Sequence, residues 1–281
     1  MTAAIALALV SALVYGVSDY SGGRAARTLP VLAVSLVSLC TGLLVSAILV
    51  ASIGDPFPPA SDVAWSAAAG LMSLVGASAF YAALAGGTMS VVAPVTAVIS
   101  AVVPVVVGIA GGERPSLLST AGIIAAIVAV ALVSGASGRA AERTPRRIAG
   151  LAVLAGVGFG LLFVFLDRTG DDSGLWPLLI GQVTSIPLLV AVVVVRRIPL
   201  TGFPMRHGLA FVAGALAVTA NICYLLATRE GLLSLVAVIT ALYPASTVAL
   251  ATVIDGERLS RSQVGGLGLV LVALAMVTAG A

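Results

Sequence analysis

Long apolar stretches follow one another along the whole chain, and polar positions are confined to the short breaks between them. A helix needs about 20 mostly apolar residues to cross a bilayer. Read at that length, the hydrophobic pattern predicts ten transmembrane helices with no soluble domain between them. The predicted spans are 2–19, 29–52, 62–85, 88–110, 116–135, 147–167, 175–195, 207–228, 232–254 and 261–280.

Composition supports a chain that is surrounded by lipid. The sequence is 60% hydrophobic and only 9% charged, whereas soluble domains carry about 25% charged residues. Its net charge of +3 comes from Arg residues in the connectors, so it does not indicate a nucleic-acid partner. No basic residue precedes the first apolar run, and we therefore expect that run to remain as a membrane helix. The prediction is an all-α, multi-pass protein of the cell membrane.

An internal repeat divides the ten spans into two sets of five. Residues 83–116 align without a gap on residues 227–260, at an offset of 144, with 12 of 34 positions identical. The match includes the pentapeptides GERPS and GERLS. We predict two five-helix repeats, 1–135 and 147–281, joined by a polar linker at 136–146.

The odd number of spans per repeat predicts that the two repeats are inverted, because the second must enter the membrane from the opposite side. Arg side chains divide 11 to 3 between the two predicted faces. Since Arg collects in cytoplasmic loops, we expect Arg143 and Arg197 in the cytoplasm, Asp55 and Asp171 outside, and both termini outside.

Inverted repeats are typical of secondary transporters, which bind substrate near the midplane between the repeats. Polar and aromatic residues inside the predicted spans are the candidates for such a site. The candidate substrate-binding set is Tyr15, Thr96, Phe159, Asn221, Tyr224, Thr240 and Tyr243. A site with so little fixed charge suits a small neutral, zwitterionic or amphiphilic solute.

Asp19 is the acid that could lie within reach of the first span's interior. Tyr15 precedes it by four residues and shares its helix face. The pair could hold an amine or take up a proton, which would couple transport to a proton gradient. The alternative is an interfacial helix cap.

The two GER motifs are interpreted as structural turns. Glu113 and Glu257 each precede an Arg, Arg114 and Arg258, and each lies before the next helix, where negative charge is favourable. A role in gating or coupling is the alternative. Cys40 and Cys223 are interpreted as small interior residues and His207 as interfacial, so no metal site is predicted.

Four segments carry a resemblance to a known family: YGVSDYSGGRAAR (15–27), LLFVFLDR (161–168), and the two long segments at 90–116 and 232–260 that end in the GER turns. With ten helices in two repeats, the chain resembles the EamA-type permeases of the drug/metabolite transporter superfamily. The resemblance implies transport of small metabolites, amino acids or drugs without ATP or another cofactor, and it slightly favours efflux.

The chain departs from the family pattern at Tyr15, where many members carry Trp. Members are also often drawn with both termini in the cytoplasm, opposite to the orientation that the Arg count indicates.

Three other functions stay open at this point. The same fold could serve as an uptake facilitator. A membrane-embedded, lipid-modifying enzyme would need acids, or His and Asp, clustered at one face, whereas the 11 acids here scatter over both. A non-transporting membrane partner or sensor is the third. We expect a monomer, with a homodimer as the alternative.

Overall fold

The computed structural model describes residues 2–26, 28–86, 89–133, 145–197, 208–255 and 260–280. In these ranges the regular structure is helical, without a strand. The helices are α1 (Thr2–Ala26), α2 (Val31–Ile53), α3 (Ala60–Gly86), α4 (Met89–Ala110), α5 (Leu117–Val133), α6 (Arg146–Asp167), α7 (Trp176–Val195), α8 (Gly208–Glu230), α9 (Leu233–Thr240), α10 (Tyr243–Asp255) and α11 (Arg261–Gly280).

These helices confirm the ten predicted spans. Each predicted span corresponds to one helix, except that the ninth is divided into α9 and α10. Among the described residues, six helices are long and apolar enough to cross a membrane, namely α1, α2, α3, α6, α7 and α8. The remaining spans contain shorter apolar stretches.

The outer surface of the bundle is apolar. Leu13, Leu44, Leu117, Val195 and Leu271 are each at least 59% exposed, while several hydroxyl side chains, including Ser11 and Ser66, are buried between the helices. Large apolar side chains on this scale cannot face water without a cost of about 1.5–3 kcal/mol each. The protein is therefore an integral membrane protein whose outward surface contacts lipid.

Helix packing repeats between the two halves. Helix α1 packs against α8 and the α9–α10 pair, and its counterpart α6 packs against α3 and α4. The α2–α8 contact likewise corresponds to the α7–α3 contact, while α5 packs against its own counterpart α11. Because α1 and α6 cross the membrane in opposite directions, the two five-helix repeats are inverted.

Glycines at repeat-equivalent positions allow the closest helix crossings. A Cβ at Gly16 would collide with Ser246 of α10, and a Cβ at Gly160 would lie 2.6 Å from the Val103 side chain of α4. Gly70 approaches the backbone of α7 in the same way that Gly214 approaches the backbone of α2. Small residues let membrane helices approach this closely, so the packing at these crossings follows from the sequence repeat.

The two ends of the bundle differ in charge. One end, which we name the Asp-rich face, carries Asp55, Asp62 and Asp171, and Ser116 there donates a 2.8 Å hydrogen bond to the carbonyl of Gly280. The opposite end is the Arg-rich face, where α1 ends and α2, α6, α8 and α11 begin. Arg143, His207, Glu257, Arg258 and most of the 136–146 linker lie outside the described residues.

Candidate functional site

A cavity of about 150 Å³ lies inside the bundle, between the two repeats. Eight of the ten spans line it, from α1 and α2 of the first repeat to α8 and α10 of the second. Several of its residues, including Ser35, Ser38 and Gly214, lie within the first two turns of α2 and α8. The cavity therefore extends from the centre of the bundle toward the Arg-rich face.

Aromatic rings form its central part. The Tyr15 ring lies 6.2 Å from that of Phe163 and 6.3 Å from that of Tyr243, centroid to centroid. Phe159 also lines the cavity, with its ring 6.1 Å from Phe80. The Tyr15–Phe163 and Phe80–Phe159 pairs are edge-to-face, and such pairs are favourable beyond the area they bury. The rings give the cavity a rigid apolar interior at mid-membrane depth.

Tyr15 is held in place by the second repeat. Its hydroxyl donates a 2.7 Å hydrogen bond to Oδ1 of Asn221, and Nδ2 of Asn221 donates to the carbonyl of Ala217 at 2.9 Å. A polar group in a membrane interior needs such partners, since water cannot supply them. The pair joins α1 to α8 across the boundary between the repeats.

The ninth span is interrupted beside the cavity. Helix α9 ends at Thr240, and α10 begins at Tyr243, directly before Pro244. Proline lacks the N–H that a continuous helix would require. Within α10, the carbonyl of Tyr243 accepts hydrogen bonds from the hydroxyls of Ser246 at 2.8 Å and Thr247 at 3.2 Å. Irregular backbone at this depth is tolerated where it lines a cavity, and Tyr243 does line this one.

Asp19 is the one charged side chain among the described residues that line the cavity. It lies one helical turn beyond Tyr15, on the side toward the Arg-rich face. Within the described ranges, its carboxylate makes no hydrogen bond and no ion pair. Intramembrane acids are costly and normally find a partner, so this carboxylate is available to a bound molecule.

The structure brings together only part of the candidate set. Tyr15, Phe159, Asn221 and Tyr243 line the cavity with Asp19. Thr96 instead donates to the carbonyl of Ala152 at 3.1 Å. Tyr224 is fully buried behind Phe163, stacked on its ring at 4.3 Å. Thr240 is fully buried as well. These last three residues are not among those that line the cavity.

Sequence reasoning missed Gln182 and a group of serines. Gln182 of α7 lines the cavity, and its buried Oε1 has no hydrogen-bond partner among the described residues. An amide in an otherwise apolar span was the available signal. The serines that line the cavity are Ser18, Ser35, Ser38, Ser73 and Ser100.

A smaller cleft of about 40 Å³ continues the cavity toward the Asp-rich face. Ser73, Gln182 and Asn221 line both spaces. Beyond the cleft, contacts between the repeats close that face. Because these contacts close the Asp-rich face, the cavity lies nearer to the Arg-rich face.

Asp62 is the centre of this closure. It accepts hydrogen bonds from the backbone N–H of Gly170 at 2.8 Å and from the hydroxyl of Ser173 at 2.5 Å. Trp176 donates to the carbonyl of Asp55 at 3.0 Å. Each of these bonds joins the first repeat to the second. Opening the Asp-rich face would have to break them.

Glu113 adds another bond between the repeats. Its carboxylate accepts from the N–H groups of Leu233 at 2.7 Å and Ser234 at 3.1 Å, and so caps the N-terminus of α9. The sequence had placed this charge at the start of the next helix, α5. Ser116 occupies that position instead and bonds the N–H of Ser119. Arg114 is exposed, and Glu257 and Arg258 lie outside the described residues.

We expect Glu113→Gln to lower the free energy of unfolding by about 1–2 kcal/mol, because a charged cap at a partly buried helix N-terminus is worth about that much. Glu230→Gln, which alters an exposed carboxylate on the same face, should change it by less than about 0.5 kcal/mol. Thermal unfolding of the purified variants in one detergent measures both. Equal melting temperatures for the two variants would show that the cap contributes nothing.

Comparison with known proteins places the whole chain in one group. A family model described as the EamA-like transporter family matches residues 2–135 and again residues 146–279. No curated protein matches the sequence. One similar solved structure, titled only as a crystal structure of a protein, superposes with a TM-score of 0.77 at 16% identity. That alignment covers 99% of this chain and 97% of the other, and at this identity it supports the fold alone.

Proposed function

The chain belongs to the EamA-like transporter family, and on that premise we propose that it is a secondary transporter that moves a small metabolite across the cell membrane by alternating access. Export is the proposed direction, on the family resemblance alone. Import through the same fold is the alternative.

The observation that supports this proposal most is the position of the cavity. It lies between inverted repeats, extends toward the Arg-rich face, and is separated from the Asp-rich face by contacts between the repeats. Exchanging the conformations of two inverted repeats would close the Arg-rich face and open the Asp-rich face. The same cavity would then be reached from the two faces in turn.

A cavity-filling variant tests the proposal even before the solute is identified. Ala217 of α8 lines the cavity, whereas Val212 on the same helix is 45% exposed toward lipid. We expect Ala217→Trp to abolish transport, because an indole would fill the space that the solute needs. Val212→Trp should transport like the unmodified protein.

The measurement is an untargeted comparison of intracellular and extracellular metabolites in cells that lack the protein, or that make it unmodified or as either variant. At least one metabolite should change its distribution with the unmodified protein and with Val212→Trp, and revert with Ala217→Trp. The direction of the change separates export from import. A change of chemical structure without a change of distribution would favour the enzyme alternative. No difference among the four cell lines would contradict transport.

A further inference from the structure

We propose that the cavity takes a cationic amine on a small apolar or aromatic body, with the Asp19 carboxylate as its counter-ion. This inference rests on the proposed transport function and narrows its substrate class. It is carried by the charge of the cavity, by the direction of its hydrogen bonds and by the position of its aromatic rings.

The cavity becomes negatively charged when Asp19 is ionised. Asp19 contributes a carboxylate, and the described residues that line the cavity include no Arg, Lys or His. A carboxylate inside a membrane protein normally pairs with a cation or a donor. Since Asp19 has no such partner within the described ranges, a bound cation would supply it.

Five of the seven hydroxyl groups that line the cavity have already used their protons, whereas those of Ser73 and Tyr243 make no donation within the described residues. A serine or tyrosine hydroxyl has one proton to donate and lone pairs to accept with. The donations made within the cavity lining are Ser18 to the carbonyl of Ala213 (2.8 Å), Ser35 to Val31 (3.1 Å), Ser38 to Ala210 (3.0 Å), Ser100 to Ala97 (3.0 Å) and Tyr15 to Oδ1 of Asn221 (2.7 Å).

What these groups still offer is mostly acceptors. The hydroxyl lone pairs remain, together with the carboxylate of Asp19 and the unpartnered Oε1 of Gln182. An ammonium group carries three donors and no acceptor, and it therefore matches this lining. A carboxylate or phosphate on the solute would meet mostly lone pairs and a like charge, with the Ser73 and Tyr243 hydroxyls and the Gln182 amide N–H groups among the donors still available.

The aromatic rings define the rest of the molecule. Tyr15, Phe163 and Tyr243 come together one helical turn from Asp19. Their faces and edges suit an apolar or aromatic body, and ring faces also attract a cation. The volume of about 150 Å³ favours a single ring or short chain over a large amphiphile. We expect an amine whose other end is uncharged to be preferred over a zwitterionic amino acid, because no cation in the described lining would hold the carboxylate of the amino acid.

Binding to the purified full-length protein tests the inference with four probes of similar shape. They are 2-phenylethylamine, 2-phenylethanol, 3-phenylpropionate and phenylalanine. We expect the amine to bind at least about tenfold more tightly than the alcohol, the difference that one charge-assisted contact gives. The propionate should bind most weakly.

Two substitutions assign the preference to Asp19. Asp19→Asn keeps the shape of the side chain and should bring the affinity for the amine down to that for the alcohol, while alcohol binding stays unchanged and reports on folding. Asp171→Asn, which removes an exposed acid on the opposite face, should leave both affinities as they are. Asp19→Glu should retain the preference for the amine.

Equal affinity of the unmodified protein for amine and alcohol would overturn the inference, as would tighter binding of phenylalanine or the propionate. A third result would also overturn it: an Asp19→Asn variant that still prefers the amine and loses only gradient-driven accumulation. Asp19 would then carry a proton and would not bind the solute. If amine binding follows Asp19 and yet no metabolite is transported, the inference stands and the transport function fails. If transport of a neutral solute is found without any amine preference, the function stands and the inference fails.

Discussion

A covalent bridge between positions 62 and 173 is expected to abolish transport almost completely. The Asp62 carboxylate and the Ser173 hydroxyl are 2.5 Å apart and belong to different repeats. Cysteines at both positions, in a Cys40→Ser/Cys223→Ser background, should form a disulfide or accept a short bifunctional thiol reagent. The bridge would hold the Asp-rich face closed, and alternating access requires that face to open.

Transport before and after oxidation measures this effect, with the metabolite that the cavity-filling comparison identifies. Each single-cysteine variant controls for the loss of the Asp62 hydrogen bonds, and a reductant should restore the double variant to its own unoxidised rate. Unchanged transport by the bridged protein would mean that this face does not open during the cycle.

Gly70→Ala is expected to lower the stability of the protein strongly. A Cβ at this position would collide with the carbonyl oxygen of Gly181, and it would also lie 2.6 Å from the Cα of Gly181. Because the obstacle is backbone, no side-chain rotation relieves it, and α3 and α7 would have to separate. Overpacking of this kind costs about 1–3 kcal/mol.

Gly268→Ala is the matched control, since it also adds one methyl group to a membrane helix but meets nothing within 4 Å. It should leave stability unchanged or raise it by up to about 1 kcal/mol, because Ala favours the helix over Gly. Melting temperatures of the two variants in the same detergent test the prediction. A Gly70→Ala variant as stable as Gly268→Ala would contradict the close crossing of α3 and α7.

The fold could be predicted from the sequence because two of its determinants, the length of the apolar runs and the internal repeat, can be recognised directly in the sequence. Membrane thickness sets the length of each apolar run, and the repeat at an offset of 144 then gives the number of units and their inversion. The interruption of the ninth span was indicated only by Pro244. Helix α9 ends at Thr240, four residues before Pro244, whose missing N–H would have bonded the Thr240 carbonyl in a continuous helix.

The candidate site was predicted only in part because its helices are apolar on every side. Asn221 and Tyr224 lie three residues apart on α8, a spacing that favours one helix face. Asn221 reaches the cavity, yet Tyr224 turns behind Phe163 and bonds its carbonyl. No hydrophobic periodicity distinguishes an inward face from a lipid-facing one in such a helix.

Contacts between the repeats were the hardest features to predict from the sequence. Glu113 caps a helix that begins 120 residues later in the chain, and no local pattern identifies that partner. The serines gave no signal either, because hydroxyls in membrane helices commonly bond to carbonyls of their own helix. What each serine can offer a bound solute depends on which of its lone pairs remain free. Only the packed structure shows which these are.

Access to one position in the cavity tests alternating access most directly. Ser73 lines both the cavity and the cleft that leads to the Asp-rich face, so a cysteine there can report on either opening. In the Cys40→Ser/Cys223→Ser background, Ser73→Cys should react with an impermeant thiol reagent added from either side of oriented vesicles. A bridge between positions 62 and 173 is then formed under conditions that leave this cysteine unmodified. In the bridged protein, the cysteine at position 73 should react only with reagent added from the Arg-rich face. Reaction from the Asp-rich face of the bridged protein, or from the Arg-rich face alone before bridging, would contradict alternating access.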